Sequence, residues 1–190
     1  MTESSGTPAP RALVLFANGF EEIETVTVID VMRRGGIEVV AAGLKPGPIT
    51  GAHGIVLIAD ASAANCQAGD FDAVVLPGGM PNARSLAEDP QAQRILAEAR
   101  DQDCVIGAIC AAPVALLPLG LLDNHRHTSH PSVQPELPAA GYQDSRVVVD
   151  GRLLTSRGPG TSLEFGLALV AHLQGPERAQ QLAGPMQVKA

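Results

Sequence analysis

Cys110 is the residue of this chain best placed for covalent chemistry. It follows Cys104-Val-Ile-Gly-Ala-Ile109, an apolar run typical of a buried strand, and precedes a helix predicted from Ala111 to Leu117. A thiol between a strand and a helix has the layout of a nucleophile elbow. Because unpaired N–H groups at a helix start stabilise S⁻, we expect Cys110 to be a reactive thiolate with a lowered pKa. The alternative is a small buried hydrophobe, which is our interpretation of Cys66 and Cys104.

A glutamate on the first predicted helix is a candidate proton carrier. Glu21, Glu22 and Glu24 begin this helix, where acids complement the helix dipole. The dipole accounts for Glu21 and Glu22. Glu24 shares a helical stripe with Val28 and Val31 and should be at least partly buried, which raises the pKa of a carboxyl group. Such a group donates a hydrogen bond to a thiolate or acts as a general acid and base, although the pattern is equally consistent with a dipole role.

Two glycine-rich turns offer backbone N–H groups. Pro77-Gly78-Gly79 follows a predicted strand, and its N–H groups are able to hold a developing oxyanion. A tight turn without a functional role explains the motif equally well. Gly158-Pro-Gly160 precedes a predicted helix, but it lacks a phosphate fingerprint and is interpreted as a turn rather than an anion site.

His125, His127 and His130 raise the question of a metal site. In an extended segment His125 and His127 share one face and His130 lies on the other. Asp123 is the one acid nearby and no cysteine lies at ligand spacing, so we predict no metal and no other cofactor. His130 alone is the better candidate, as an acid or base partner of the thiol.

The composition excludes several classes of protein. The chain has 190 residues, a net charge of −7, one Tyr and no Trp, which disfavours nucleic acid as the primary partner. Its longest apolar run, 110–122, is interrupted by proline and glycine and is too short to span a bilayer. Residues 1–10 do not resemble a secretory signal and are interpreted as a flexible leader before a single domain over 11–190. The unpaired cysteines favour a reducing compartment, most simply the cytoplasm.

Apolar runs alternate with segments of helical length, which predicts an α/β fold. Strands of roughly six residues separated by helices of roughly 10–15 residues imply βαβ units. The expected class is therefore a doubly wound, mostly parallel sheet with helices on both faces. Strands are predicted at 12–17, 37–42, 71–76 and 104–109, shorter β structure at 49–61, a hairpin around 150–151, and helices at 21–34, 90–100, 162–173 and from 176. In such sheets functional sites form at the carboxyl ends of strands, here after Ala17, Leu76 and Ile109.

Two of these helices carry start signals. Asp89-Pro90 places an N-cap acid before a proline at the first helical position. Thr161-Ser-Leu-Glu164 matches a capping box. Both predicted helices therefore begin at defined residues.

Five stretches of the sequence together resemble one known family. They occur in family order and spacing from about Arg11 to the carboxyl end and resemble the ThiJ/PfpI superfamily, within it the protein deglycase and glyoxalase III branch. The stretches are Ala12-Leu-Val-Leu-Phe-Ala-Asn-Gly-Phe-Glu-Glu-Ile-Glu-Thr25, Val75-Leu-Pro-Gly-Gly79, Ala108-Ile-Cys-Ala-Ala-Pro113, Thr128-Ser-His-Pro131 and Leu154-Thr-Ser-Arg-Gly-Pro-Gly-Thr161.

The resemblance implies a flavodoxin-like fold, a domain like that of class I glutamine amidotransferases, and a homodimer. It implies Cys110 as the elbow nucleophile, Glu24 as its carboxyl partner and His130 nearby. It also implies that backbone N–H groups surround the thiol, supplied by Gly78, Gly79 and Ala111.

Three positions bear on the branch of the family. The peptidase branch usually has His directly after the nucleophile, whereas this chain has Ala111. The isocyanide-hydratase branch uses Asp where this chain has Glu24. Relatives often have Arg where this chain has His53, in a region tied to dimer contacts.

The resemblance implies an enzyme that uses cysteine and no cofactor. It would convert methylglyoxal or glyoxal, free or as early adducts on protein side chains, to hydroxy acids. A redox-sensing stress chaperone is the alternative, because an exposed low-pKa thiol beside a protonated acid is readily oxidised to a sulfinate. A hydrolase of amides or peptides is a further alternative, disfavoured by Ala111.

Overall fold

A computed structural model describes residues 8–188, so most of the predicted leader lies outside the described residues. A seven-stranded sheet lies at its centre and a separate two-stranded hairpin lies beside it. The sheet contains β1 (Arg11–Phe16), β2 (Glu38–Gly43), β5 (Ala61–Ser62), β6 (Ala73–Leu76), β7 (Val105–Ile109), β8 (Val147–Asp150) and β9 (Leu153–Ser156); the hairpin contains β3 (Pro48–Thr50) and β4 (Val56–Ile58).

The strand order is β5-β2-β1-β6-β7-β9-β8, and every pairing in the main sheet is parallel except that of β8 with β9. β1 pairs with β2 on one side and with β6 on the other, so the chain changes direction across the sheet between β1 and β6. Such a switch point leaves a crevice at the carboxyl ends of the two strands. The predicted doubly wound, mostly parallel fold is confirmed.

Helices cover both faces of the sheet. They are α1 (Glu22–Arg34), α2 (Met80–Glu88), α3 (Pro90–Asp101), α4 (Ser162–Gln174) and α5 (Pro176–Ala183), with a 3₁₀ segment at Ala112–Leu119. On one face Leu13 and Leu15 pack with residues of α2 and α3. On the other face Val14 packs with residues of α1 and α4. This alternation along β1 follows from the two-residue period of a strand.

The structure differs from the sequence-based expectation in three local features. Helix α2 was not predicted, although its buried side chains recur at helical spacing. The segment after Cys110 is 3₁₀ rather than α-helical, since Pro113 and Pro118 each remove an N–H donor. The capping box at Thr161 does not form, because Thr161 Oγ1 donates to the carbonyl of Gly158 at 2.8 Å.

Within the described residues, no helix combines the length and the apolar character that a membrane span requires.

Candidate active site at the carboxyl ends of the central strands

Cys110 occupies a strained backbone position directly after β7. Its φ is +63°, a left-handed conformation that costs a residue with a side chain roughly 1–3 kcal/mol. Two backbone hydrogen bonds hold it there: its N–H donates to Ser156 at 2.9 Å, and its carbonyl accepts the N–H of His130 at 2.8 Å. This is the predicted elbow, and it places the thiol at the crevice beside the ends of β1 and β6.

Glu24 lies in the first turn of α1 and is completely buried, as predicted. Its Oε2 accepts the N–H of Gly78 at 2.7 Å. Its Oε1 is buried and has no hydrogen-bond partner among the described residues. The thiol of Cys110 lies beside this carboxyl and interacts with it.

The space around the two reacting groups is narrow. A Cβ added to Gly78 would lie 2.5 Å from Glu24 Oε2 and 3.0 Å from Cys110 Sγ. A Cβ added to Gly158 would lie 3.6 to 4.0 Å from His130 Cδ2, Glu24 Oε1 and Cys110 Sγ. The loops after β1, β6, β7 and β9 therefore place Cys110, Glu24 and His130 around one small volume.

Backbone N–H groups surround the sulfur, as the resemblance implied, with one difference. The N–H groups of Gly79 and Ala111 both donate toward Cys110. The N–H of Gly78 instead donates to Glu24, so it orients the carboxyl and is not free for an oxyanion. Gly79 adopts φ +88° at this turn, which glycine accepts without strain.

Cys110 and Glu24 are coupled through a shared proton. Burial raises the pKa of Glu24 to about 7, against the opposing effects of the Cys110 thiol and the Gly78 N–H. Burial, followed by the charge of Glu24, raises the pKa of Cys110 to about 12. The lowered pKa predicted for this thiol alone is therefore wrong. The pair loses its first proton near pH 7, after which the remaining proton is held mainly on sulfur.

His130 lies at the rim of the site and its side chain is exposed. Its Nδ1 accepts the N–H of Ser132 at 3.2 Å, so in the neutral ring the proton resides on Nε2. The loop that carries it is fixed where Thr128 N–H donates to Thr155 Oγ1 of β9 at 2.9 Å. The ring edge faces the same volume as Cys110 and Glu24.

The other two histidines have separate partners. His125 Nδ1 bonds to Asp150 at 3.1 Å on the surface. His127 is buried, donates from Nδ1 to the carbonyl of His125 at 2.9 Å, and packs edge-on against Tyr142 with ring centroids 5.8 Å apart. His125, His127 and His130 thus do not converge on a common point.

A carboxylate and histidine cluster lies beside the start of α1. Glu21 Oε2 accepts the N–H of Glu24 at 2.7 Å as an N-cap. Glu22 bonds to the backbone N–H and the Nδ1 of His53 at 2.5 and 2.9 Å, which holds the hairpin tip against α1. Ligand atoms of all three residues lie within 4.8 Å of one another. Existing hydrogen bonds account for these contacts.

Comparison with known proteins identifies the family of this chain. The profile of the DJ-1/PfpI family matches residues 10–172, which is most of the chain. The chain belongs to the DJ-1/PfpI family.

Relatives of this DJ-1/PfpI protein align over nearly its full length. Parkinson disease protein 7 homolog of Danio rerio is 41% identical and aligns over 94% of this chain and 97% of that protein. Glutathione-independent glyoxalase DJR-1.2 of Caenorhabditis elegans is 38% identical over 87% of this chain and 89% of its own. The crystal structure of Drosophila melanogaster DJ-1beta superposes with a TM-score of 0.92 at 38% identity, covering 96% of this chain and all of that one.

One polar residue at this DJ-1/PfpI site was missed by sequence reasoning. Asn82 is completely buried in the first turn of α2. A signal for it exists, because Asn82 shares its helical face with Leu86, four residues later, so the pattern places an amide among core side chains. Such an amide must find hydrogen-bond partners inside the protein.

Proposed function

We propose that this chain converts methylglyoxal or glyoxal to the corresponding hydroxy acid by means of the Cys110 thiol, without glutathione. The observation that carries the proposal is the pairing of this thiol with the buried carboxyl of Glu24 beside two N–H donors. A relative named glutathione-independent glyoxalase, 38% identical over most of both chains, supports it. Early adducts of these aldehydes on protein side chains carry the same functional groups and are proposed as further substrates.

The first step is addition of sulfur to the aldehyde carbon. With the shared proton on Glu24, Cys110 is a thiolate, and attack on the carbonyl forms a C–S bond and an alkoxide. The N–H groups of Gly79 and Ala111, which donate toward the sulfur, are proposed to stabilise the negative charge that develops on the alkoxide oxygen. Protonation of the alkoxide gives a hemithioacetal.

The second step moves a proton between adjacent carbons. Glu24, as the carboxylate, removes the proton from the carbon that bears sulfur, and the electron pair forms an enediol. Return of the proton to the neighbouring carbon gives a thioester of the hydroxy acid. Water then hydrolyses the C–S bond, releasing lactate or glycolate and restoring the thiol. The substrate gains one water overall, and no external oxidant or reductant is needed.

A carboxyl group performs both proton transfers only if its pKa lies close to the working pH. Burial supplies this condition, since it raises the pKa of Glu24 from 4.5 to about 7. His130 is proposed to assist at the rim, where its Nε2–H donates to the substrate oxygen or orients the hydrolytic water.

The test is lactate formation from methylglyoxal in the absence of glutathione. Wild type should turn over, Cys110→Ala should fall to the background rate, and Cys66→Ala should match wild type because Cys66 is buried and its thiol donates to the carbonyl of Ser62. Lactate formation by Cys110→Ala at the wild-type rate contradicts the proposal. If wild type also stays at background, mass spectrometry of oxidised Cys110 tests the redox-sensing alternative.

We also propose that the chain is a homodimer through one apolar face. This face, named here the α1–β4 face, lies where the hairpin packs beside α1. Its members are large apolar side chains that are 46 to 81% exposed: Ile23, Val26, Ile55, Val56 and Ile58. Contiguous exposed apolar side chains mark protein interfaces. His53 lies at its edge, where relatives often have Arg.

Two broader proposals complete the assignment. Residues 11–190 are proposed to function as one domain. The cytoplasm is proposed as its location, because Cys66, Cys104 and Cys110 are free thiols, which a reducing compartment maintains.

A further inference from the structure

Asn82 uses its side chain to connect two strand ends at the active site. Its Oδ1 accepts the N–H of Ala17, the residue after β1, at 2.6 Å. Its Nδ2 donates to the carbonyls of Pro77 and Gly78, the residues after β6, at 2.7 and 3.0 Å. The N–H of Ala17 requires an acceptor and both carbonyls require a donor, so these partners also fix the orientation of the amide.

These bonds determine the direction of the Gly78 peptide groups. The carbonyl of Gly78 accepts from Asn82 and also from the N–H of Glu21 at 3.0 Å. Glu21 is the N-cap of α1, the helix that carries Glu24. The side chain of Asn82 therefore contacts both elements that place Glu24: the turn that supplies its N–H donor and, through one shared carbonyl, the start of its helix.

We propose that Asn82 is a positioning residue for the proton-transfer pair, acting through Gly78 to hold the N–H that Glu24 Oε2 accepts. Within the described residues, Asn82 makes no hydrogen bond of its own to Cys110 or Glu24. Its effect on chemistry passes through the geometry of the Pro77-Gly78 turn, where the N–H to carboxyl distance is 2.7 Å. Gly78 has no side chain to restrict its backbone rotation, so hydrogen bonds from another residue are needed to fix the conformation of the turn.

A positioning role for Asn82 predicts a change in the ionisation of the Glu24–Cys110 pair, which a purely stabilising role does not. Donation from the Gly78 N–H favours the ionised form of Glu24. If the turn moves, this hydrogen bond weakens and the pKa of Glu24 rises. The pair then loses its first proton at a higher pH. The pH midpoint for reaction of Cys110 with an alkylating agent should therefore rise when Asn82 is replaced.

The experiment measures iodoacetamide modification of Cys110 against pH by mass spectrometry, together with methylglyoxal turnover and melting temperature. For Asn82→Ala we expect the midpoint to rise by about one pH unit, which is the loss of one charge-assisted hydrogen bond. Turnover should fall about tenfold or more in kcat with KM little changed. Asn82→Asp keeps the shape and the acceptor but removes both donors, and it should shift the midpoint in the same direction.

Two variants on the same helix serve as controls. Leu86→Ala removes a completely buried side chain and should lower the melting temperature without moving the midpoint. Ser85→Ala removes a hydroxyl that donates to the carbonyl of Pro81 within α2 and should change neither the melting temperature nor the midpoint. An unchanged midpoint in both folded Asn82 variants, or an equal shift in Leu86→Ala, would overturn the inference.

The turnover readout rests on the proposed function, whereas the alkylation readout does not. A shifted midpoint in a protein without methylglyoxal turnover would support the positioning role and refute the glyoxalase assignment. Turnover with no shift would support the assignment and refute the role of Asn82.

Discussion

Glu24 Oε2 accepts the N–H of Gly78 at 2.7 Å, and the Sγ of Cys110 lies beside the same carboxyl. The other carboxyl oxygen, Oε1, is buried and has no hydrogen-bond partner in the described structure. The turn after β6 therefore fixes the orientation of the carboxyl through one of its two oxygens.

The first prediction concerns the pH at which Cys110 becomes reactive. After the pair loses its first proton near pH 7, the minority of molecules that keep the remaining proton on Glu24 carry a thiolate, so modification of Cys110 by iodoacetamide should show a first rise with a midpoint near that value. The thiol of an isolated cysteine has a pKa of about 8.5. The measurement is the pH dependence of modification at the Cys110 peptide. A midpoint of about 9 or above would show that the carboxyl does not take the proton from the thiol.

The second prediction concerns stability and Glu24. Its pKa is 4.5 in an unperturbed chain and about 7 in the folded protein, so the folded state binds this proton more tightly. Raising the pH from 4.5 to 7 therefore destabilises the fold, by about 3 kcal/mol in all. Glu24→Gln cannot ionise, so its stability relative to wild type should increase across this window.

Chemical denaturation of both proteins at pH 4.5 and pH 8 measures this effect. Glu177→Gln, which replaces an exposed acid of α5, is the control, and its stability should change with pH as that of wild type does. The same Glu24→Gln protein should lose nearly all methylglyoxal turnover while remaining folded. A difference in stability that is independent of pH, or turnover near normal, would contradict the role given to Glu24.

The third prediction compares two glycines with similar backbone angles. Gly79 and Gly47 have φ of +88° and +92°, but a Cβ on Gly79 would collide with the carbonyl of Gly19, whereas Gly47 has open space. Gly47→Ala should cost about 1 kcal/mol from backbone strain alone. Gly79→Ala should cost roughly 3 kcal/mol or more, since overlap adds to strain, and should abolish turnover. Equal losses in melting temperature would contradict this placement of the turn.

The fourth prediction concerns the α1–β4 face. Ile58→Glu places a charge at its most exposed apolar side chain, so the mass measured by light scattering should fall from that of two chains to that of one. Val149→Glu alters an exposed apolar residue on β8, at the opposite edge of the sheet, and should leave the mass unchanged. A wild-type protein with the mass of one chain would refute the dimer.

The elements that the sequence predicts well are those with strong local signals. β1, β6 and β7 are continuous apolar runs, and α3 begins at Pro90 directly after Asp89, whose side chain accepts the N–H groups of Gln91 and Ala92 as an N-cap should. Helix α2 was missed because Pro81 lies near the start of a mixed polar segment, and its few buried side chains give a weak pattern. The capping box failed because Thr161 found a nearer partner in Gly158.

The candidate site shows the same contrast between local sequence signals, which predict well, and long-range contacts, which do not. The placement of Cys110 after a strand and of Glu24 on a buried stripe are properties of the local sequence. The direction of the Gly78 N–H and the coupling of the two protons depend on residues 54 or more positions apart, which no local pattern encodes. The raised pKa of Cys110 arises from burial and from Glu24, and both are products of the complete fold.

The contact between Tyr142 and His127 also gives the protein an internal optical reporter. Tyr142 is the one tyrosine of the chain and there is no tryptophan, so the intrinsic fluorescence above that of phenylalanine comes from a single ring. That ring packs on His127, and its hydroxyl donates to the carbonyl of Ser129, which directly precedes His130. Ultraviolet emission from the unlabelled protein therefore reports on the environment of the segment 127–130, without an attached dye.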